Sequence, residues 1–269
     1  MPLSRLVYDR KGSGETVVLI HGIGHRRQAW QPVFDRLAER YDVIAVDLAG
    51  FGKSPRYARG VPYNMDNACL DLSQNFAEWG IERPHVVGNS LGGAIALELG
   101  ARGLVSSATA LSPAGFFTRF GIVRALAVLG LLRVTSQAPD FVVRLLTRTR
   151  LGRKAVGYVL YAHPERHTAE AAYGDAIALK RCRGFEGVAK EGLGYRFDQP
   201  VDVPVTVAWG TKDLILPYRQ SAVARERLPE ARHVPLVGAG HVPMSDLPDR
   251  VIELVDETVG RAKGRSAAA

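Results

Sequence analysis

Ser90 stands in Gly88-Asn89-Ser90-Leu91-Gly92, where the apolar run Val86-Val87 gives way to the helical pattern Ala94, Ile95, Ala96, Leu97, Leu99. A strand that turns this abruptly into a helix strains the backbone at the apex and pushes the apical side chain out over the sheet. Gly88 and Gly92 leave room for the turn, because strand and helix nearly touch there. A serine hydroxyl is a weak nucleophile at neutral pH and needs a positioned base. Two later segments offer partners. Trp209-Gly210-Thr211-Lys212-Asp213 follows one buried apolar run, and Gly238-Ala239-Gly240-His241 follows the last one. In this arrangement His241 takes the Ser90 proton and returns it to the leaving group, while Asp213 fixes the imidazole tautomer and stabilises its charge. The glycines before His241 let its ring turn back over the strand ends. Asp202 is the weaker candidate acid, because it precedes its strand and so sits at the wrong end of the sheet.

Acyl transfer at Ser90 would develop an oxyanion that needs two donors. The Leu91 N–H, at a helix N-terminus, is one. The loop His21-Gly22-Ile23-Gly24 is expected to supply the other through the Ile23 N–H. Its glycines let the loop come close to the acyl group. Contacts to substrate are expected from Gly22, Asn89, Phe116 and Phe117.

These residues must be held by strands ending at a common edge. Leu6 to Asp9 predicts a short strand. Thr16 to Ile20 and Val43 to Val46 are continuous apolar runs, the pattern of strands buried on both faces. Gln28 to Arg40 has helical spacing. Asn64 to Gly80 is a second helix, with Asn64 as N-cap and Gly80 as its stop. After the Ser90 turn comes another strand, Ala108 to Leu111. This alternation predicts a parallel sheet with helices on both faces and ligands at the strand C-terminal ends, where His21 to Gly24, Asp47 and Ser90 fall.

From 114 to 199 no buried strand is visible. Helical patterns run over 122–134, 140–149, 153–162, 168–182 and 185–193, so an inserted helical lid is expected between core segments 1–113 and 200–269. Phe116, Phe117, Phe120, Ile122, Leu126, Leu129 and Leu132 give that lid an apolar entrance. The strand pattern resumes at Val203 to Gly210, followed by a helix over 217–228, a last strand at Arg232 to Leu236 and a closing helix over 247–260. Residues 261–269 are expected to fray.

The chain has 269 residues, 46% hydrophobic and 23% charged, as globular proteins do. Net charge is +8, and residues 114–199 hold 14 Lys and Arg against 7 Asp and Glu. This basic excess fits a solvated helical segment, an anionic substrate or a lipid surface. No nucleic-acid-binding motif accompanies it, so nucleic acid is not an expected partner. Gly52-Lys53-Ser54 lacks the upstream glycine of a phosphate-binding loop, because Asp47 stands there. Gly22-Ile23-Gly24 lacks the third glycine of a dinucleotide fingerprint, because Arg27 stands there. Cys69 and Cys182 read as free thiols rather than as a disulfide or metal site. No cofactor is expected. The first residues carry no signal-like apolar run, and the stretch 122–132, broken by Arg124, is shorter than the ~20 residues of a membrane span. A cytoplasmic protein without stable membrane insertion is expected, with room for a homodimer.

The motifs His-Gly-Ile-Gly at 21–24, Asp-Leu-Ala-Gly-Phe-Gly-Lys-Ser at 47–54, Gly-Asn-Ser-Leu-Gly-Gly at 88–93, Trp-Gly-Thr-Lys-Asp at 209–213 and Gly-His at 240–241 occur in the order found in the α/β-hydrolase superfamily. The chain resembles its capped serine hydrolases over nearly all its length except the lid. The resemblance implies an eight-stranded, mostly parallel sheet. This chain has room for only one strand before Thr16, so the first edge strand is expected to be short or missing. A serine nucleophile sets it apart from relatives that attack with a carboxylate. The implied activity is hydrolysis of medium-chain, aromatic or lactone esters through an acyl-enzyme. Asn89 resembles the family's carbon–carbon bond hydrolases of meta-cleavage products, whose lid arginine would correspond to Arg181 or Arg183. A slow-turnover ligand receptor on the same fold is a third reading.

Overall fold

Seven strands form one sheet in the computed structural model, which describes residues 1–268, with side chains described through residue 264. They are β1 (Tyr8–Lys11), β2 (Thr16–Ile20), β3 (Asp42–Val46), β4 (His85–Asn89), β5 (Ser107–Leu111), β6 (Val205–Gly210) and β7 (Arg232–Leu236). Their spatial order is β1-β3-β2-β4-β5-β6-β7. Only β1 is antiparallel to its neighbour; the other pairs run parallel. The chain thus has an α/β fold with a mostly parallel sheet, and the edge strand that would precede β1 is missing among the described residues.

Period-two alternation makes two cores. Val18, Ile20, Ile44, Val46 and Val86 face one side of the sheet, and Val17, Leu19, Val43, Ala45 and Val87 face the other. Each of the valine, leucine and isoleucine side chains among them contributes roughly 1.5–3 kcal/mol by leaving water. Helices α1 (Gln31–Leu37) and α11 (Pro248–Ala268), with the short α10 (Pro243–Asp246), cover the second face. Helices α2 (Met65–Glu78), α3 (Leu91–Ala101) and α9 (Gln220–Arg227) cover the first. Asn64 caps α2 by accepting from Asn67 N at 2.9 Å, as its position predicts.

Several boundaries differ from the sequence reading. The segment 28–40 divides into a 3-10 turn, Arg27–Trp30, and α1, with Pro32 in the first helical turn. Residues 217–219 form turns before α9 opens at Gln220. The closing helix does not stop at Gly260. Its buried stripe Val251, Leu254, Val255 and Val259 continues to Ala262, and α11 runs to Ala268.

Between β5 and β6 lie five helices: α4 (Arg119–Ser136), α5 (Asp140–Arg148), α6 (Arg150–Gly157), α7 (Ala169–Arg181) and α8 (Phe185–Gly192). Thr118, Thr149 and Thr168 cap α4, α6 and α7 with their hydroxyls. Among the described residues no single helix is long and apolar enough to cross a membrane. Cys69 and Cys182 are buried free thiols.

The chain leaves β2 for β3 on one side and returns to β4 on the other. Such a reversal opens a crevice beyond the strand C-termini. The loops after β2 and β4 carry Ile23 and Ser90 into that crevice.

Candidate active site

Ser90 sits at φ +58° and ψ −112°. A non-glycine residue held there costs about 1–3 kcal/mol, so its surroundings must impose the conformation. They do so by close approach. A β-carbon at Gly92 would collide with the Ile20 carbonyl, and one at Gly88 with the Gly92 carbonyl. Backbone bonds fix the apex: Ser90 N donates to Leu111 O at 2.9 Å, and Ser90 O accepts from Ala94 N at 3.0 Å. Leu91 is the first residue of α3, so its N–H is one of the donors that a helix leaves unpaired.

Asp213 and His241 meet as expected. Asp213 Oδ2 accepts from His241 Nδ1 at 2.7 Å. The other carboxylate oxygen accepts from Ile215 N at 2.9 Å and Leu216 N at 2.8 Å. A carboxylate can only accept, so Nδ1 carries the imidazole proton and Nε2 presents its lone pair. Both side chains are buried. Trp209 Nε1 donates to Leu216 O at 2.8 Å and closes the loop behind the acid. Asp202 is exposed ahead of β6, away from this pair.

Gly22 brings its loop against the elbow; a β-carbon there would lie 3.2 Å from Ser90 Cβ. His21 anchors the loop. Its Nδ1 donates to Gly22 O at 2.7 Å and its Nε2 accepts from Leu48 N at 3.0 Å. Complete burial lowers its pKa to about 4, against a rise from nearby Asp47, and this suits the neutral tautomer those two bonds require. Asp47 is not directed at the site. It holds Arg27 through Nη1 at 2.6 Å and through the backbone N at 2.7 Å, and it accepts from Lys53 N.

A cavity of about 490 Å³ opens beside Ser90, with Ile23, Leu91, Phe117, Ile122, Leu126 and Leu216 among its walls. Glu98, Arg102, Tyr195 and Arg196 give it a polar side. A second cavity, about 190 Å³, lies among α4 to α7 and shares Ile23 and Leu129 with the first. His25 lines it. Tyr161 donates to Asp175 Oδ2 at 3.1 Å and bonds His25 Nε2 at 3.1 Å. The tyrosine has one proton, which Asp175 takes, so His25 Nε2 is the donor to it. The lone pair of His25 Nδ1 is then buried without a partner. Burial is the main cause that lowers the His25 pKa and keeps the ring neutral.

Some expected contacts lie elsewhere. Asn89 is buried, and its amide donates to Leu111 O at 3.1 Å and His241 O at 2.9 Å, so it braces the site rather than facing substrate. Phe116 is buried between Phe197 and Trp209 and lines neither cavity, whereas Phe117 does line the serine cavity. Phe120 points to solvent. Arg181 is exposed and pairs with Asp140, and Arg183 is exposed; neither lines a cavity. Sequence reading missed Asp246. Its carboxylate accepts from Ala162 N, His163 N and Gly240 N, tying the helical insertion to the histidine loop. Among the described residues no group of three His, Cys, Asp or Glu is placed to hold a metal ion.

Residues 17–254 match the model of the alpha/beta hydrolase family. An uncharacterized protein of Mycobacterium tuberculosis is 32% identical over 94% of this chain and 77% of its own length. The pimeloyl-[acyl-carrier protein] methyl ester esterase of Aeromonas hydrophila is 29% identical over 94% of this chain and 98% of its own. The meta-cleavage product hydrolase of Pseudomonas fluorescens has the same fold, with a TM-score of 0.76 at 24% identity over 96% of this chain and 95% of that one. The chain belongs to the alpha/beta hydrolase family.

Proposed function

We propose that this alpha/beta hydrolase cleaves carboxylic esters of medium-chain or aromatic acids, lactones included, through an acyl-enzyme on Ser90. The reading is supported by the strained Ser90 apex and by the Asp213–His241 pair, whose loop Asn89, the residue before Ser90, holds through the His241 carbonyl. Ser90 Oγ attacks the ester carbonyl carbon as His241 Nε2 takes its proton. The tetrahedral oxyanion lies against the N–H groups of Leu91 and Ile23, each such donor being worth about 10²–10³ in rate. Collapse breaks the bond to the alkoxy oxygen, which leaves with the proton from His241. A water activated by His241 then attacks the acyl-enzyme and restores Ser90.

Residues 114–199 act as a lid over core segments 1–113 and 200–269. The apolar walls of the serine cavity favour an uncharged acyl chain over a short polar one. The likeness to an esterase over nearly the whole of both chains supports the reading. Carbon–carbon cleavage draws on the likeness to a meta-cleavage product hydrolase. It lacks the arginine that sequence assigned to it, because Arg181 and Arg183 are exposed and are not among the walls of the cavity.

A panel of p-nitrophenyl esters from acetate to laurate tests the proposal. Turnover should show a chain-length optimum and fall by roughly 10⁴-fold or more in Ser90→Ala. A folded protein that turns over none of the panel, or a Ser90→Ala variant that keeps its rate, would overturn it.

A further inference from the structure

Helix α4 carries apolar residues on both of its faces, interrupted by Arg119, Arg124 and Arg133. One face, with Ile122, Ala125 and Leu129, is buried, and it helps wall the serine cavity. Phe120, Val123, Ala127, Leu131 and Val134 recur at helical spacing on the other, and all five are exposed. A helix with apolar residues on both faces is ordinarily buried on both. Here Phe120 is 74%, Leu131 65% and Val134 68% accessible to solvent. The next two helices repeat the pattern, with Phe141 at 73% and Leu151 at 79%. Scattered exposed apolar residues need no explanation; a stripe along ~27 Å of helix does.

The charge of the same segment says what covers it. Residues 119–157 hold 8 Lys and Arg and a single acidic residue, Asp140. Asp140 is taken up by Lys180 and Arg181. Arg119, Arg144, Arg148, Arg150 and Lys154 are exposed, and Arg119, Arg148 and Arg150 make no ion pair among the described residues. The remainder of the insertion, 158–199, is balanced at 6 basic and 6 acidic residues. The basic excess therefore coincides with the exposed apolar faces. Apolar side chains set among unpaired cations match the interface of a bilayer with anionic headgroups.

We propose that α4 to α6 form a docking face for anionic lipid surfaces, with Phe120, Leu131, Phe141 and Leu151 entering the headgroup boundary and the arginines meeting phosphates. The protein lies on the membrane and does not span it. Because the inner face of α4 walls the serine cavity, docking brings that cavity to the bilayer. The docking itself does not depend on the ester-hydrolase reading, so Ser90→Ala should bind as the wild type does.

The test is co-sedimentation with phosphatidylcholine vesicles carrying about a third phosphatidylglycerol, against phosphatidylcholine alone. The full chain should bind the anionic vesicles, bind the neutral ones roughly tenfold more weakly, and release as NaCl is raised from about 0.05 to 0.5 M. Phe120→Ser with Leu131→Ser should weaken binding at low salt by about tenfold, through lost insertion. Arg148→Glu with Arg150→Glu should do the same and flatten the salt dependence. All four side chains are exposed, and melting curves verify that the variants remain folded. Absence of binding to anionic vesicles, or variants that bind as the wild type does, would overturn the proposal. So would a stable dimer that Leu131→Ser dissociates while no vesicle binding occurs, because the stripe would then be a self-interface.

Discussion

The side-chain amide of Asn89 donates to the carbonyl oxygen of His241 at 2.9 Å, joining the residue before the nucleophile to the base itself. Its second N–H goes to Leu111 O, the same carbonyl that receives the Ser90 N–H. One amide therefore spans β4, β5 and the histidine loop. Asn89→Ala takes from the His241 carbonyl its Asn89 donor, while Leu111 O keeps the Ser90 N–H, and should lower stability by about 1–3 kcal/mol. Loosening His241 relative to Ser90 should also lower kcat by about tenfold with KM nearly unchanged, since positioning rather than substrate contact is lost. An unchanged kcat with a raised KM would return Asn89 to the substrate contacts.

Asp213 has three partners, two of them its own loop N–H groups. Asp213→Asn keeps the shape, but its amide can place N–H donors against His241 Nδ1. The imidazole proton then moves to Nε2, where it cannot accept from Ser90. Ester hydrolysis should fall by about 10⁴-fold while the melting temperature changes little. A loss of under about tenfold would remove Asp213 from the proposed triad.

His21 makes acid stability testable. Its pKa is lowered to about 4 in the fold and returns to the ordinary 6.5 on unfolding. Below pH 6.5 the unfolded chain takes up a proton that the native chain refuses. The stabilisation from neutral His21 is therefore complete above pH 6.5, is lost as pH falls toward 4, and stays constant below that. Its full size is about 3 kcal/mol. Asp71, pushed up to about 6 by burial, acts with the opposite sign, because the native chain holds that proton longer. Comparison of the wild type with His21→Gln cancels the Asp71 effect. Stability against pH should slope less steeply in the variant by up to one proton between pH 4 and 6.5. Parallel curves, or a His21 ring that protonates near pH 6 by NMR, would sink the assignment.

The proposed reactive groups are legible in the sequence because each follows a buried apolar run: Ser90 after Val86-Val87, Asp213 after β6 and His241 after β7. Strand β7 occupies its expected limits, Arg232 to Leu236. What escaped was direction. Phe116 and Phe117 precede α4 and Phe120 stands in its first turn, so no helical period sets the direction of the three, and the sequence reads them as one entrance. The fold sends Phe116 into the core, Phe117 to the cavity and Phe120 to solvent. Asn89 escaped for a related reason: the residue before Ser90 ends a strand, and only the neighbouring carbonyls decide what its amide serves. The Arg27–Asp47 pair joins the turn that precedes α1 to the residue after β3, with no local pattern to announce it. Removing Arg27 would leave the fully buried Asp47 carboxylate without its cation at a cost of about 3–5 kcal/mol, whereas Arg27 without Asp47 would keep its pairing with Asp9.

Asp246 closes a four-residue helix and holds two separate parts of the site. One oxygen accepts from Ala162 N at 3.1 Å and His163 N at 3.2 Å; the other accepts from Ala162 N at 3.0 Å and Gly240 N at 2.8 Å. Nearby, Leu160 O accepts from His241 N at 2.8 Å and Val242 N at 3.2 Å. The loop after α6 and the histidine loop are thus tied to each other by these hydrogen bonds. Asp246→Ala removes the acceptor from three backbone N–H groups and should lower stability by roughly 2–3 kcal/mol. It should also speed proteolysis between α6 and α7 and reduce kcat. Asp246→Asn retains one acceptor oxygen, enough for Ala162 and His163, but presents N–H donors to Gly240. That variant should lose kcat out of proportion to its stability, because the residue before His241 is repelled while the insertion stays attached. If kcat is unchanged in Asp246→Asn, the clamp secures the insertion alone and has no part in placing the base.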